Sequence, residues 1–348
     1  METRVLPPTP ETIAQAAAAL RHGDLVGIPT ETVYGLAGNA LDAHALASIF
    51  AAKERPSFDP LIVHIGGAID ATGLVDLSAF GACARDRLRA LVDAFWPGPL
   101  TLVLPKTPMV PDLATSGLAT IALRAPSHPV ARALIAAAGV PLAAPSANRF
   151  GRISPTTASD VVQELWGRVS MVIDGGPCAV GVESTVVAID PEGGLRLLRP
   201  GGISRESLIA VTGAPVAVVP RVVGPGAPAR SPGMLESHYA PVKPLHLLPR
   251  AILALNDVER RELLPAGAGI LAASGDAEAI AAACAGPPTI LRVLSPSGDA
   301  EEAARNLFAA LRALDASEAT TLVTEPWPGE EGLGYAIADR LRRATAVK

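Results

Sequence analysis

KERPSFDPLIVHI, Lys53 to Ile65, holds the transition that decides the fold class. Just before it, HALASIFAAK has the apolar spacing of a helix that starts at Asp42, and Pro56 ends that run. PLIVHI then reads as a buried strand. Working outward, Thr9 and Pro10 predict the N-cap and first position of an Ala-rich helix closed by Gly23. DLVGIPT reads as another buried strand. Further strands are expected at PLTLVLP, TIALRAP, PLAAPSA, SMVIDGG, STVVAID and LRLLRPG, with helices near 129–138 and 156–166. This alternation predicts an α/β sheet domain, in an order too irregular for a simple doubly wound topology.

From about Gly213 to Pro244 the texture changes to a run dense in Pro and Gly without helical period, expected to be a linker or a functional lid. Beyond it PLHLLP, AGILAAS, TILRVL and TLVTEP read as strands, with helices at 299–314 and 331–343. The expected division is residues 1–212, a linker at 213–243, and a small Rossmann-like three-layer α/β domain at 244–348. The second part has neither GxGxxG nor GxxxxGK[ST], so a dinucleotide or P-loop site there lacks support.

The 348 residues carry 29 Lys and Arg against 34 Asp and Glu, and neither half is a basic module: residues 1–200 hold 15 cations against 18 acids. Stable nucleic-acid binding is therefore not expected. Aromatic residues make up only 3%, which leaves packing to Ala, Val, Leu and Ile. METRVLPPTP has no apolar core of the signal-peptide kind, and no uncharged run is long enough to span a bilayer. Cys83, Cys178 and Cys284 are odd in number and far apart, which fits reduced thiols. A cytoplasmic chain with no membrane partner is the expectation.

Five places put polar groups on apolar segments. PTETVYGL places Thr30, Glu31, Thr32 and Tyr34 at the end of a buried strand, which a capped turn would also explain. Lys53 and Arg55 offer two cations where a helix stops, suited to phosphate oxygens, although such a pair is commonly solvated surface. His64 sits on a buried strand, where histidine is often a satisfied core residue. Arg124 in TIALRAP joins Ser146, Asn148 and Ser154 in PSANRFGRISP, a turn able to donate to an anion. GVESTVVAID and LRLLRPGG add Ser184 and Arg199. Buried polar groups on His64, Arg124 and Arg199 are costly unless they converge on a cleft.

PTETVYGL, K-x-RP, VHI, SAN, GVEST and LRPG in this order resemble the YrdC/Sua5 family, and SPGMLESHYAP with GLGYAIADRLRRA resembles the linker and second domain of its long branch. The resemblance covers essentially the whole chain. It implies a YrdC-like twisted mixed sheet and an L-threonylcarbamoyladenylate synthase. Such an enzyme joins L-threonine, bicarbonate and ATP, with Mg²⁺, into threonylcarbamoyl-AMP and pyrophosphate, for use by the transferase complex that modifies tRNA next to the anticodon. It further implies that Thr32, His64, Arg124, Ala144 and Ser184 surround threonine and bicarbonate. Lys53, Arg55, Asp59, Thr120, Ser146, Asn148, Ser154, Arg199 and Tyr239 would hold ATP, with Lys53, Arg55 and Arg124 catalytic and no metal ligands assigned. Tyr239 would close over the nucleotide as part of a lid at 231–241.

Two positions depart from the family pattern. Asp59 stands where asparagine is usual, so its carboxylate should repel phosphate unless turned away or holding Mg²⁺. Leu235-Glu236-Ser237 replaces a basic lid segment, although His238 and Tyr239 remain. Two other readings compete. A double-stranded-RNA module is disfavoured by the acidic balance and few aromatics, and a carbamoyl-transfer domain by the lack of zinc-type cysteine sets.

Overall fold

A computed structural model describes residues 2–69, 72–219, 239–284 and 286–346. These divide into two compact units. One takes the described residues up to 219 except 151–153 and 180–182; the other takes those two short segments and everything described from 239 onward.

The sheet of the first unit has eleven strands: β1 (Arg4–Leu6), β2 (Val26–Ile28), β3 (Gly35–Asn39), β4 (Ile62–His64), β5 (Leu100–Pro105), β6 (Thr120–Arg124), β7 (Leu142–Ala143), β8 (Met171–Ile173), β9 (Thr185–Ile189), β10 (Leu195–Arg199) and β11 (Val216–Val218). Their spatial order is β1-β8-β2-β3-β7-β4-β6-β5-β9-β10-β11. Parallel pairs such as β4 with β6 sit beside antiparallel ones such as β5 with β6, so the sheet is mixed. The first unit also runs past residue 212, because β11 pairs in parallel with β10.

The helices start where side chains can cap them. Thr9 accepts from the amide of Thr12 ahead of the helix Pro10–His22, and Gly23 closes it at φ 96. Asp42 caps the helix Ala43–Lys53, which stops one turn before Pro56: Glu54 takes the left-handed cap at φ 53. Helices Pro10–His22 and Pro129–Ala138 bury Ala16, Leu20, Leu134 and Ile135 against Val26, Ile28 and Ile173 of the sheet.

Elsewhere on the sheet a smaller cluster joins Ile62, Val103, Ala122 and Val186 from four neighbouring strands. Side chains alternate along a strand. Two residues on from this cluster, the same face therefore carries His64, Thr101, Arg124 and Ser184. That register positions the site.

The second unit has four parallel strands, β12 (Leu245–Leu247), β13 (Gly269–Ala272), β14 (Ile290–Val293) and β15 (Leu322–Thr324), in the order β12-β15-β13-β14. Ile270 and Ala272 face Ile252 and Ile280 on one side. Gly269 faces Leu314 of the helix Ala300–Ala316 on the other. Helices thus cover both faces in the expected three layers.

Candidate active site

The register of β4 against β6 sets His64 directly beside Arg124. Arg124 is 3% accessible, and its guanidinium is held from three directions. Its Nε donates to the Gly98 carbonyl at 3.2 Å, and Nη1 donates to the Thr32 hydroxyl at 2.8 Å. Nη2 lies 2.7 Å from a carboxylate oxygen of Glu31. The PTETVYGL turn is therefore folded onto the arginine. Thr30 fixes that turn by donating to the Val33 carbonyl at 2.6 Å while meeting the Thr32 hydroxyl at 2.8 Å.

His64 is buried, and its Nδ1 has no hydrogen-bond partner among the described residues. Burial, and then the neighbouring Arg124 charge, lower its pKa to about 3 despite the opposing pull of Glu31. The imidazole is neutral at physiological pH. For Glu31, burial pushes the carboxyl up, but Arg124 and nearby backbone amides outweigh it and hold the group below its ordinary value. Glu31 is thus an anion at neutral pH.

Ser184, just ahead of β9, shares a 2.7 Å hydrogen bond with Thr101 of β5. Arg199 donates to the Ser184 carbonyl at 3.1 and 2.9 Å and to its hydroxyl at 3.1 Å. The chain Thr101–Ser184–Arg199 runs along the same face as Arg124. The close approach of LRPGG to VEST makes it possible: a Cβ on Gly201 would fall 2.3 Å from the Glu183 carbonyl oxygen. Ser154 donates to the buried Glu183 carboxylate.

The structure gives the two cations of KERP protein partners. Lys53 is 1% accessible; its ammonium donates to the carbonyls of Ser146 and Asn148, while its own carbonyl accepts from the Phe150 amide. Burial, then the charge of Arg55, drive its pKa well below the ordinary lysine value. Lys53 therefore staples the SAN loop to the end of its helix. That loop is also zipped to the first motif, since Ala147 N–H donates to the Tyr34 carbonyl at 2.8 Å. Arg55 folds back to donate to the carbonyls of Asp59 and Pro60, and its Nη2 lies 2.9 Å from the Asp59 carboxylate. Asp59 is fully buried, so it is turned away into an ion pair. The expected repulsion is met by the chain's own arginine.

Ala144 lies against β4 through its amide, which donates to the Ile62 carbonyl. Thr120 starts β6 on the far side of the small apolar cluster, about 13 Å from Arg124 at the usual strand rise. Tyr239 belongs to the second unit. There its buried ring lies 5.6 Å from the Phe308 ring, with the guanidinium carbons of Arg340 and Arg343 at 5.0 and 4.6 Å from its centroid. Of the expected lid, residues 231–238 lie outside the described residues, and with them Leu235-Glu236-Ser237 and His238.

Thr101 and Glu183 were not among the residues the sequence picked out as a site, and Glu31 was named with its turn but without a substrate role. Thr101 had a signal, as the one hydroxyl in the apolar strand PLTLVLP. Among the described residues no group of three or more His, Cys, Asp or Glu side chains could hold a metal ion.

A family model described as telomere recombination, that of the Sua5/YciO/YrdC proteins, matches residues 18–201. The chain belongs to this family. A second model, described as the C-terminal domain of threonylcarbamoyl-AMP synthase, matches residues 203–346, which marks the long Sua5-type branch. Threonylcarbamoyl-AMP synthase of Bacillus subtilis is 40% identical over 95% of this chain and 92% of its own length. That of Pyrococcus abyssi is 39% identical over 96% and 94%. The crystal structure of P. abyssi Sua5 complexed with L-threonine aligns with a TM-score of 0.84 at 36% identity, covering 99% of this chain and 98% of that one.

Proposed function

We propose that the first unit makes threonylcarbamoyl-AMP from L-threonine, bicarbonate and ATP. The observation that carries this reading is the row His64, Thr101, Arg124 and Ser184 on one sheet face, with the Thr32 hydroxyl bonded to Arg124, within a chain alike over its full length to Sua5-type synthases. The threonine amine and bicarbonate lose water to give a carbamate. A carbamate oxygen then attacks the α-phosphorus of ATP, and pyrophosphate leaves. No side chain need form a bond to substrate, so the work is alignment and charge stabilisation.

Arg124 faces the anionic end of the amino acid or its carbamate, and the neutral His64 lies directly beside it. Ser184, steadied by Thr101 and Arg199, lies on the same sheet face. Ser146, Asn148 and Ser154 serve the nucleotide side with Arg199 and Thr120. Lys53 acts there through the SAN loop it holds, and Arg55 through the buried pair by which it neutralises Asp59. Mg²⁺ arrives on ATP as part of the substrate. The product passes to the transferase that modifies tRNA next to the anticodon, in the cytoplasm. No helix of the described residues is long and apolar enough to cross a membrane.

Labelled bicarbonate, L-threonine and ATP should together give labelled threonylcarbamoyl-AMP by mass spectrometry. Adenylated threonine without the carbamoyl carbon would overturn the reading.

A further inference from the structure

Two buried polar groups flank Arg124. The first is His64, whose Nδ1 completes no hydrogen bond among the described residues. The second is the carboxylate of Glu31, 8% accessible, of which neither oxygen completes a hydrogen bond of good geometry among the described residues. Nη2 of Arg124 lies 2.7 Å from Glu31, but the same guanidinium also serves Thr32 and Gly98. A carboxylate buried this deeply needs donors as well as a countercharge. One cation and one anion side by side, both buried, complement a zwitterion: a carboxylate for the arginine and an ammonium for the glutamate.

We propose that Glu31 receives the amino group of the amino-acid substrate, and so selects α-amino acids over α-hydroxy acids. This rests on the reading above, that the Arg124 pocket takes threonine. Thr30 and Thr32 on either side of Glu31 bond to each other and fix the turn that points it inward. The carboxylate is presented by the backbone and does not have to be recruited. A site built to hydrogen-bond an amine rejects the analogue that lacks it, because its buried acceptors are then left unpaired.

The test is a cycle of two ligands and two proteins on the full chain. Calorimetric titration compares L-threonine with 2,3-dihydroxybutanoate, in which a hydroxyl replaces the α-amine, on the wild type and on Glu31→Gln. The wild type should prefer threonine by about tenfold or more, as expected for a charge-assisted contact. Glu31→Gln should cut that preference to about threefold or less, mainly by weakening threonine. Equal weakening of both ligands, or an unchanged preference, overturns the proposal. Glu31→Asp keeps the charge but shortens the reach, and should give an intermediate preference if Glu31→Gln does not fold; a wild-type preference in that variant also overturns it. A wild type that releases pyrophosphate without threonine would instead defeat the synthase reading, which separates the two failures.

Discussion

Asp59 shows how a single residue is read differently once its neighbour is placed. In isolation a carboxylate beside KERP should repel phosphate; in the fold it is fully buried against Arg55. Removing one partner of a buried pair leaves a bare charge, which costs on the order of 3–5 kcal/mol. Arg55→Ala should therefore destabilise the protein by about that amount in urea denaturation, and Asp59→Asn in the same chain should restore much of it. Equal stability of Arg55→Ala and wild type would contradict the ion pair. His64 makes a prediction in pH. The folded protein keeps it neutral down to about pH 3, whereas the unfolded chain protonates it near 6.5. Between those values the unfolded state binds more protons, so stability falls as pH drops, by at most about 1.4 kcal/mol per unit. His128, also lowered by burial, adds to the same slope. His64→Gln should flatten the loss of stability between pH 7 and 5. A slope that matches the wild type would contradict a buried neutral imidazole.

At the scale of elements, most of the sheet was legible because its strands are apolar runs of period two or fully buried runs, bounded by Pro and Gly. The capped helices at Thr9 and Asp42 were legible for the same local reason. β1, β3 and β11 were not: RVL, GLAGN and VAV carry little pattern, and neighbouring strands recruit them by pairing. The helix Ala82–Phe95 was missed as well; its Gly81 cap makes no side-chain bond. The site was half legible. Motif residues were found, but the role of Lys53 depends on the carbonyls of Ser146 and Asn148, distant in sequence, which no spacing reveals. Gly201 tests the contact of two such motifs. A methyl there would sit 2.3–2.4 Å from backbone atoms of Glu183, Ser184 and Thr185, which cannot move aside as a flexible side chain would. Gly201→Ala should lower the melting temperature by several degrees and reduce activity at least about tenfold, as expected when a misplaced positioning group costs alignment. Wild-type activity and melting in that variant would contradict the close approach.

Across the whole molecule, two units each carry their own core, and the chemistry described so far lies in the first. The second has its own demanding feature, Tyr239 flanked by two guanidinium groups with its ring tilted against that of Phe308. Tyr239→Ala should cost about 3–5 kcal/mol, through a lost large side chain and lost cation–π contact, whereas Tyr239→Phe keeps the ring, loses the hydroxyl to which Arg343 donates, and should cost less, about 1–3 kcal/mol. Equal effects of the two changes on thermal unfolding would contradict a role for the ring. The acidic charge balance and the anion-facing polar row agree on a small-molecule site in the first unit. The central claim is that this row joins three substrates into one adenylate. Pyrophosphate release from ATP should require both L-threonine and bicarbonate; equal release with threonine left out would contradict it.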